Sequence, residues 1–146
     1  MTDDLERAKY YVEQCGYTCA LVRGKDVFTS SDRGVIPLLK LVEAGKNAEG
    51  FSAADKVLGK GSAFLYILLG VTEIYTKIIS RSALEVLKSH GAMLYFQESV
   101  KTIMNRKADG PCPIEAALEE TNDPREAVAI IKNTLQKLKG EKNENS

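Results

Sequence analysis

The chain has no tryptophan, one histidine, three cysteines and four prolines, and its 20 Lys+Arg cancel its 20 Asp+Glu. Each scarcity excludes something. With His90 as the only imidazole, a Ser-His-Asp or Cys-His device has a single ring to use. That ring stands at the end of a helical pattern, where a histidine ordinarily serves the helix dipole. The H-E-x-x-H and paired C-x-x-C signatures are missing, and the usual zinc sites with them. A set of Cys15, Cys19, Cys112 and His90 around a metal is conceivable, but small buried thiols are the expectation. Zero net charge argues against a bulk electrostatic footprint for nucleic acid. The most apolar stretch, Ala63 to Val71, is about nine residues, against the roughly 20 that span a bilayer. The acidic start, Met1 to Glu6, lacks the apolar core of a signal peptide. An odd count of cysteines then suits reduced thiols, so a cytoplasmic protein without a membrane partner is expected.

What is present suits one domain. A chain of 146 residues can bury about 68–70% of its unfolded surface and needs no staple. Leu5, Ala8, Tyr11, Val12 and Cys15 form the stripe of a first helix, stopped at Gly16. Cys19–Arg23 and Val27–Ser30 read as a hairpin around Gly24-Lys25-Asp26. A second helix runs from Val35 to Ala44, with Pro37 in its first turn. Ser52-Ala53-Ala54-Asp55 matches a capping box, which predicts a third helix from Ser52 to Leu69. Gly59 and Gly61 then fall mid-helix, which implies close approach to a sheet or a ligand. Thr72–Ile79 and Ala92–Phe96 read as strands flanking a helix over Ser82–His90, the length of a crossover between parallel strands. Short helices are predicted at Glu98–Met104 and Ile114–Glu120, with a loop between them. Asp123 caps a last helix that has Pro124 at its first position. Residues 1–139 are then a single three-layer α/β/α domain on a mixed sheet of four to five strands. Gly140 to Ser146 is expected to be a disordered polar tail.

No phosphate loop is present, since Gly59-Lys60-Gly61-Ser62 sits inside a helical pattern, and no G-x-G-x-x-G follows a strand. Two clusters carry chemistry. Asp55, Lys56 and Lys60 gather at the predicted start of the third helix, where free N–H groups and the dipole favour an anion. Asn105-Arg106 followed by Gly110-Pro111-Cys112-Pro113-Ile114-Glu115 combines a guanidinium, a thiol before a short helix and a carboxylate in its first turn. A simple cap at Asp55 and a rigid proline-flanked turn at Cys112 remain the bland alternatives.

Ala54-Asp55-Lys56-Val57-Leu58-Gly59-Lys60, the helix start at Ser80 and Asn105-Arg106…Gly110-Pro111-Cys112-Pro113 resemble domain-of-unknown-function family 1893. This is a family of small bacterial proteins placed in the cytidine deaminase-like superfamily. The resemblance covers about residues 5–138 and implies an α/β/α fold with the hairpin at one side of the sheet. It implies no activity. In the zinc deaminases of that superfamily, H-A-E or C-A-E opens the helix after the hairpin and P-C-x-x-C opens the helix after the next strand. Here those places read Ala54-Asp55-Lys56 and Ser80-Arg81-Ser82-Ala83, and Cys112 falls after the following strand. No metal or other cofactor is therefore expected, and zinc-dependent deamination is not.

What the resemblance leaves is a groove where two helix starts meet. Asp55, Lys56, Lys60, Ser80, Arg81 and Ser82 would line it, with Asn105, Arg106 and Cys112 nearby. That set suits a nucleotide-like or other phosphate-bearing ligand. Two alternatives stand beside it: an enzyme using Cys112 or Asp55 as nucleophile, and a module that homodimerises without any ligand.

Overall fold

The computed structural model describes residues 1–104, 110 and 112–144, and side chains as far as 140. Its elements in chain order are α1 (Asp3–Glu13), β1 (Cys19–Arg23), β2 (Asp26–Ser30), α2 (Ile36–Glu43) and β3 (Ser52–Leu58). Then follow α3 (Lys60–Leu69), β4 (Glu73–Ser80), α4 (Arg81–Ser89), β5 (Met93–Val100), α5 (Pro113–Ala117) and α6 (Pro124–Glu144). The strands form one mixed sheet in the order β2-β1-β3-β4-β5. β1 pairs antiparallel with β2 and β3, while β3, β4 and β5 are parallel.

The local reasons are mostly simple. Thr2 caps α1 by accepting the Leu5 N–H at 3.2 Å, and Leu5, Ala8 and Val12 bury one stripe of that helix. The stripe meets Ala20, Val22, Ala54 and Tyr75 on the sheet, where two alanines let the helix sit close. Gly24 takes φ +57° in the two-residue hairpin turn, where a Cβ would be strained. Asp123 caps α6 through Oδ1, which accepts the Arg125 N–H at 2.9 Å.

The other face of the sheet carries the main core. The α3 and α4 crossovers step the same way along the sheet and, with a common hand, arrive on one face. There α3 packs against α2, α4, α5 and α6. Phe64, Leu65, Tyr66 and Leu69 of α3 are fully or almost fully buried, with Ile74, Ile79, Leu87, Leu118 and Ile131 around them.

Three expectations are corrected. Ser52–Leu58 is a strand, not the first half of a helix, so the S-x-x-D pattern caps nothing. β3 lies mid-sheet between β1 and β4, and pairing on both sides overrides the weak strand preference of Ala-Ala-Asp-Lys. The two glycines therefore stand at the start of α3. Gly61 is explained by packing, since a Cβ there would lie 2.8 Å from Ile114 Cγ2 and 3.0 Å from Val35 Cγ1. Second, β5 continues to Val100 through part of the predicted Glu98–Met104 helix, because its ladder with β4 runs to Ser80↔Val100. Third, α6 extends to Glu144, past the Gly140 at which a disordered tail was expected.

β3 and β4 also share an irregularity. Pairing lapses between Asp55↔Thr76 and Val57↔Ile78. Ala53 and Leu58 both face the main core although five residues apart, and so do Ile74 and Ile79. Alternation would place odd-spaced residues on opposite faces, so both strands turn over at this point.

Candidate functional site

Leu58 and Ile79 are neighbours in the parallel ladder, and each strand ends directly into a helix. The starts of α3 and α4 therefore lie side by side at the carboxyl end of the sheet, where open α/β sheets keep their crevices. Ser80 caps α4 by accepting the Ala83 N–H at 3.2 Å. Gly59 caps α3 with no side chain to contribute.

The partner of both starts is Glu115 of α5. Its Oε1 accepts the Lys60 N–H at 3.3 Å, and its Oε2 accepts from Ser82 Oγ at 2.8 Å. A Cβ on Gly59 would stand 3.1 Å from Oε1, so the missing side chain makes room for this carboxylate. Lys60 returns the contact. Its ammonium donates to the carbonyls of Leu118 at 2.7 Å and Glu119 at 3.2 Å, just beyond α5. Lys60 is 5% exposed and Glu115 9%. Buried charges persist only with such partners, and each charge-assisted bond contributes about 1.5–3 kcal/mol. A cleft of about 330 Å³ opens beside them, lined by Lys60, Ser82, Glu85, Ser89, His90 and Asn122. His90 Nδ1 lies 2.9 Å from the Val86 carbonyl, at the end of α4, as its place in the helix suggests.

The structure thus brings together Lys60, Ser80 and Ser82. Lys56 and Arg81 are solvent-exposed, and the described contacts do not bind either to the cleft. Cys112 is half-buried at the cap of α5 and packs against the main core. Asn105 and Arg106 lie outside the described residues. Cys15 is exposed, contrary to the expectation of buried thiols, because α1 ends two residues before it.

Asp55 is the main correction. It sits in the middle of β3, 7% exposed and paired across the ladder with Cys19, rather than at a helix start. Tyr66 of α3 donates its hydroxyl to Asp55 Oδ2 at 2.7 Å. Burial pushes the carboxyl up to about 7, although bonds from Tyr66, Val57 and Lys56 favour the charged form. Burial likewise raises the Cys19 thiol and the Tyr66 phenol, and the Asp55 charge adds to both shifts. Enclosed under α3, this carboxylate has no access to a substrate, and its role as a nucleophile is withdrawn.

Sequence reasoning noted Glu115 beside Cys112 but not between the two helix starts. A lone acid in the first turn of a short helix reads as dipole compensation, and the pairing spans 55 residues from Lys60. Glu85, His90 and Asn122 carried no local signal for a cleft.

Residues 7–135 match the family model described as Domain of unknown function (DUF1893). The chain belongs to the DUF1893 family. Its fold is shared by a solved DUF1893 family protein from Thermotoga maritima, 26% identical, with a TM-score of 0.79 over 91% of each chain. No curated protein matches the chain. Among the described residues, no group of three or more His, Cys, Asp or Glu could hold a metal ion, and no helix is long and apolar enough to cross a membrane.

Proposed function

We propose that this DUF1893 protein binds a small phosphate-bearing, nucleotide-like molecule in the cleft beside the starts of α3 and α4, as a cytidine deaminase-like groove that works without metal. The observation that carries the reading is the Lys60 ammonium, 5% exposed and yet lining a cleft of about 330 Å³. Two of its three protons go to carbonyls, and the third has no oxygen partner among the described residues. That volume is at the lower end for small-molecule sites, and it suits a mononucleotide-sized ligand better than a dinucleotide.

The deaminase comparison turns on what occupies the zinc-ligand places. With β3 corrected, the helix that would open with H-A-E opens with Gly59-Lys60-Gly61, and the next with Ser80-Arg81-Ser82. A lysine ammonium at the first place repels a cation and attracts an anion. Deamination by zinc-bound water is no part of this proposal.

The test is a panel of mononucleotides, sugar phosphates and inorganic phosphate, followed by thermal unfolding and amide chemical shifts. Binding should raise the melting temperature and move Lys60, Ser82, His90 and Asn122. A ligand at 100 times its Kd adds about 2.7 kcal/mol. A silent panel at millimolar concentration would remove the proposal.

A further inference from the structure

We infer that Glu115 fixes the hydrogen-bond polarity of the cleft at Ser82, and so selects ligands that carry a hydroxyl or amino group close to their anionic group. The inference rests on the proposed cleft and says what kind of molecule the cleft prefers.

An ionised carboxylate only accepts hydrogen bonds. Ser82 Oγ, 2.8 Å from Glu115 Oε2, must therefore spend its one proton inward. Ser80 Oγ lies 3.2 Å from Ser82 Oγ and already accepts the Ala83 N–H. Since the Ser82 proton is committed, the Ser80 proton points to Ser82. The chain therefore runs Ser80 to Ser82 to Glu115. Ser82 faces the cleft with a lone pair and no proton.

The other lining groups extend the pattern. Glu85 accepts. The Val86 carbonyl can only accept, so the His90 Nδ1 beside it at 2.9 Å carries a proton and offers the cleft no acceptor there. Against these acceptors stand the remaining proton of Lys60 and the side-chain amide of Asn122, which both donates and accepts. The cleft therefore pairs one cationic donor with several acceptors. A bare anion satisfies only the first, and a hydroxylated or aminated anion satisfies both. Exposed Glu85 and His90 keep their water, but Ser82 is partly buried between Ser80 and Glu115, and leaving that acceptor unanswered costs binding, which gives the selection.

The experiment compares glycerol 3-phosphate with propyl phosphate, which lacks only the two hydroxyls, by calorimetry or amide-shift titration. The wild-type protein should bind glycerol 3-phosphate about tenfold more tightly, one hydrogen bond's worth. In Glu115→Gln the carboxamide oxygen still accepts from Lys60 N–H, but its NH2 donates to Ser82 Oγ. The Ser82 proton then turns outward, propyl phosphate gains, and the ratio should fall to about one. Ser82→Ala, which keeps Glu115, should also lower the ratio and serves if Glu115→Gln does not fold. Equal wild-type binding of the two phosphates, or a ratio unchanged in both variants, overturns the inference and leaves the cleft standing as a ligand site. Binding of neither phosphate to the wild-type protein removes the cleft reading on which it rests.

Discussion

Among the described residues, two carboxylates lie buried on the main-core side of the sheet, and they are held differently. Glu115 receives a main-chain N–H and a serine hydroxyl, in a cluster whose other charge is the Lys60 ammonium. Asp55 receives Tyr66 and two main-chain N–H groups and faces the Cys19 thiol across the ladder, with no cation among its partners in the described residues. Asp55 consequently moves up to about 7. A buried carboxylate without a cation escapes its desolvation cost by keeping its proton. That contrast assigns Asp55 to the packing of α3 on the sheet and leaves the proposed ligand site at the Lys60 end.

The largest expected effect tests the Asp55 half. A carboxyl raised from 3.8 to about 7 on folding binds more protons in the native than in the unfolded chain between those pH values. Its contribution to stability is therefore complete below about pH 4 and declines as pH rises toward 7. The loss is of the order of a few kcal/mol by the linkage constant. Asp55→Asn should flatten this slope and match or exceed the wild type at pH 8. Urea unfolding from pH 4 to 8 checks it, and a parallel slope in the variant would show that Asp55 is not the group responsible.

At the other cluster the sign reverses, because what is lost is a donor. Lys60→Met keeps the apolar stem but leaves the Leu118 and Glu119 carbonyls without their ammonium. A loss of about 2–3 kcal/mol is expected. Phosphate binding in the cleft should vanish with it. Chemical denaturation at pH 7 with a phosphate titration separates the two effects, and unchanged stability would mean that water replaces the ammonium.

How far these two regions were legible differs for a physical reason. α1, the hairpin, α4 and α6 announce themselves by period, cap or turn, since each buries one stripe against one neighbour. β3 does not. Ala54, Val57, Leu58, Gly61 and Leu65 fit a helical stripe, and nothing local in Ser-Ala-Ala-Asp-Lys reveals a strand held by neighbours on both sides. From that one misreading Asp55 was placed at a helix start and in the groove. Lys60, Ser80 and Ser82 do come together at two helix starts, although the sequence pattern marked only the β4–α4 junction as one and put Gly59 and Lys60 inside a longer helix. Glu115 had to wait for the fold, since its meaning lies in contacts with two distant helices.

Gly61 offers a smaller perturbation of the same region. An alanine Cβ would press into Ile114 and Val35, at 2.8 and 3.0 Å, pushing α5 away from α3. Overpacking of this kind costs about 1–3 kcal/mol. Thermal unfolding of Gly61→Ala gives the cost, and amide shifts at Glu115 should show α5 displaced. Unmoved Glu115 shifts would mean that α2 gives way instead.

Gly59→Ala should have the smallest effect, and it isolates Glu115 most cleanly. The backbone at Gly59 is extended, φ −95° and ψ 178°, so alanine fits the conformation without strain. The three atoms nearest the new methyl all belong to the Glu115 side chain, with Oε1 at 3.1 Å. A flexible carboxylate can yield by a few tenths of an ångström, so the cost should stay below about 1 kcal/mol, part of it from lengthening the Lys60 N–H bond. The effect should also depend on its partner. In a Glu115→Ala background the methyl has nothing to press against, and the substitution should become neutral. A double-mutant cycle on stability, with Glu115→Ala as the second change, reads this coupling directly. Additive single effects would show that Gly59 is glycine for some reason other than the carboxylate. Coupling that accounts for the whole Gly59→Ala cost would tie the bare cap of α3 to the acid that occupies it.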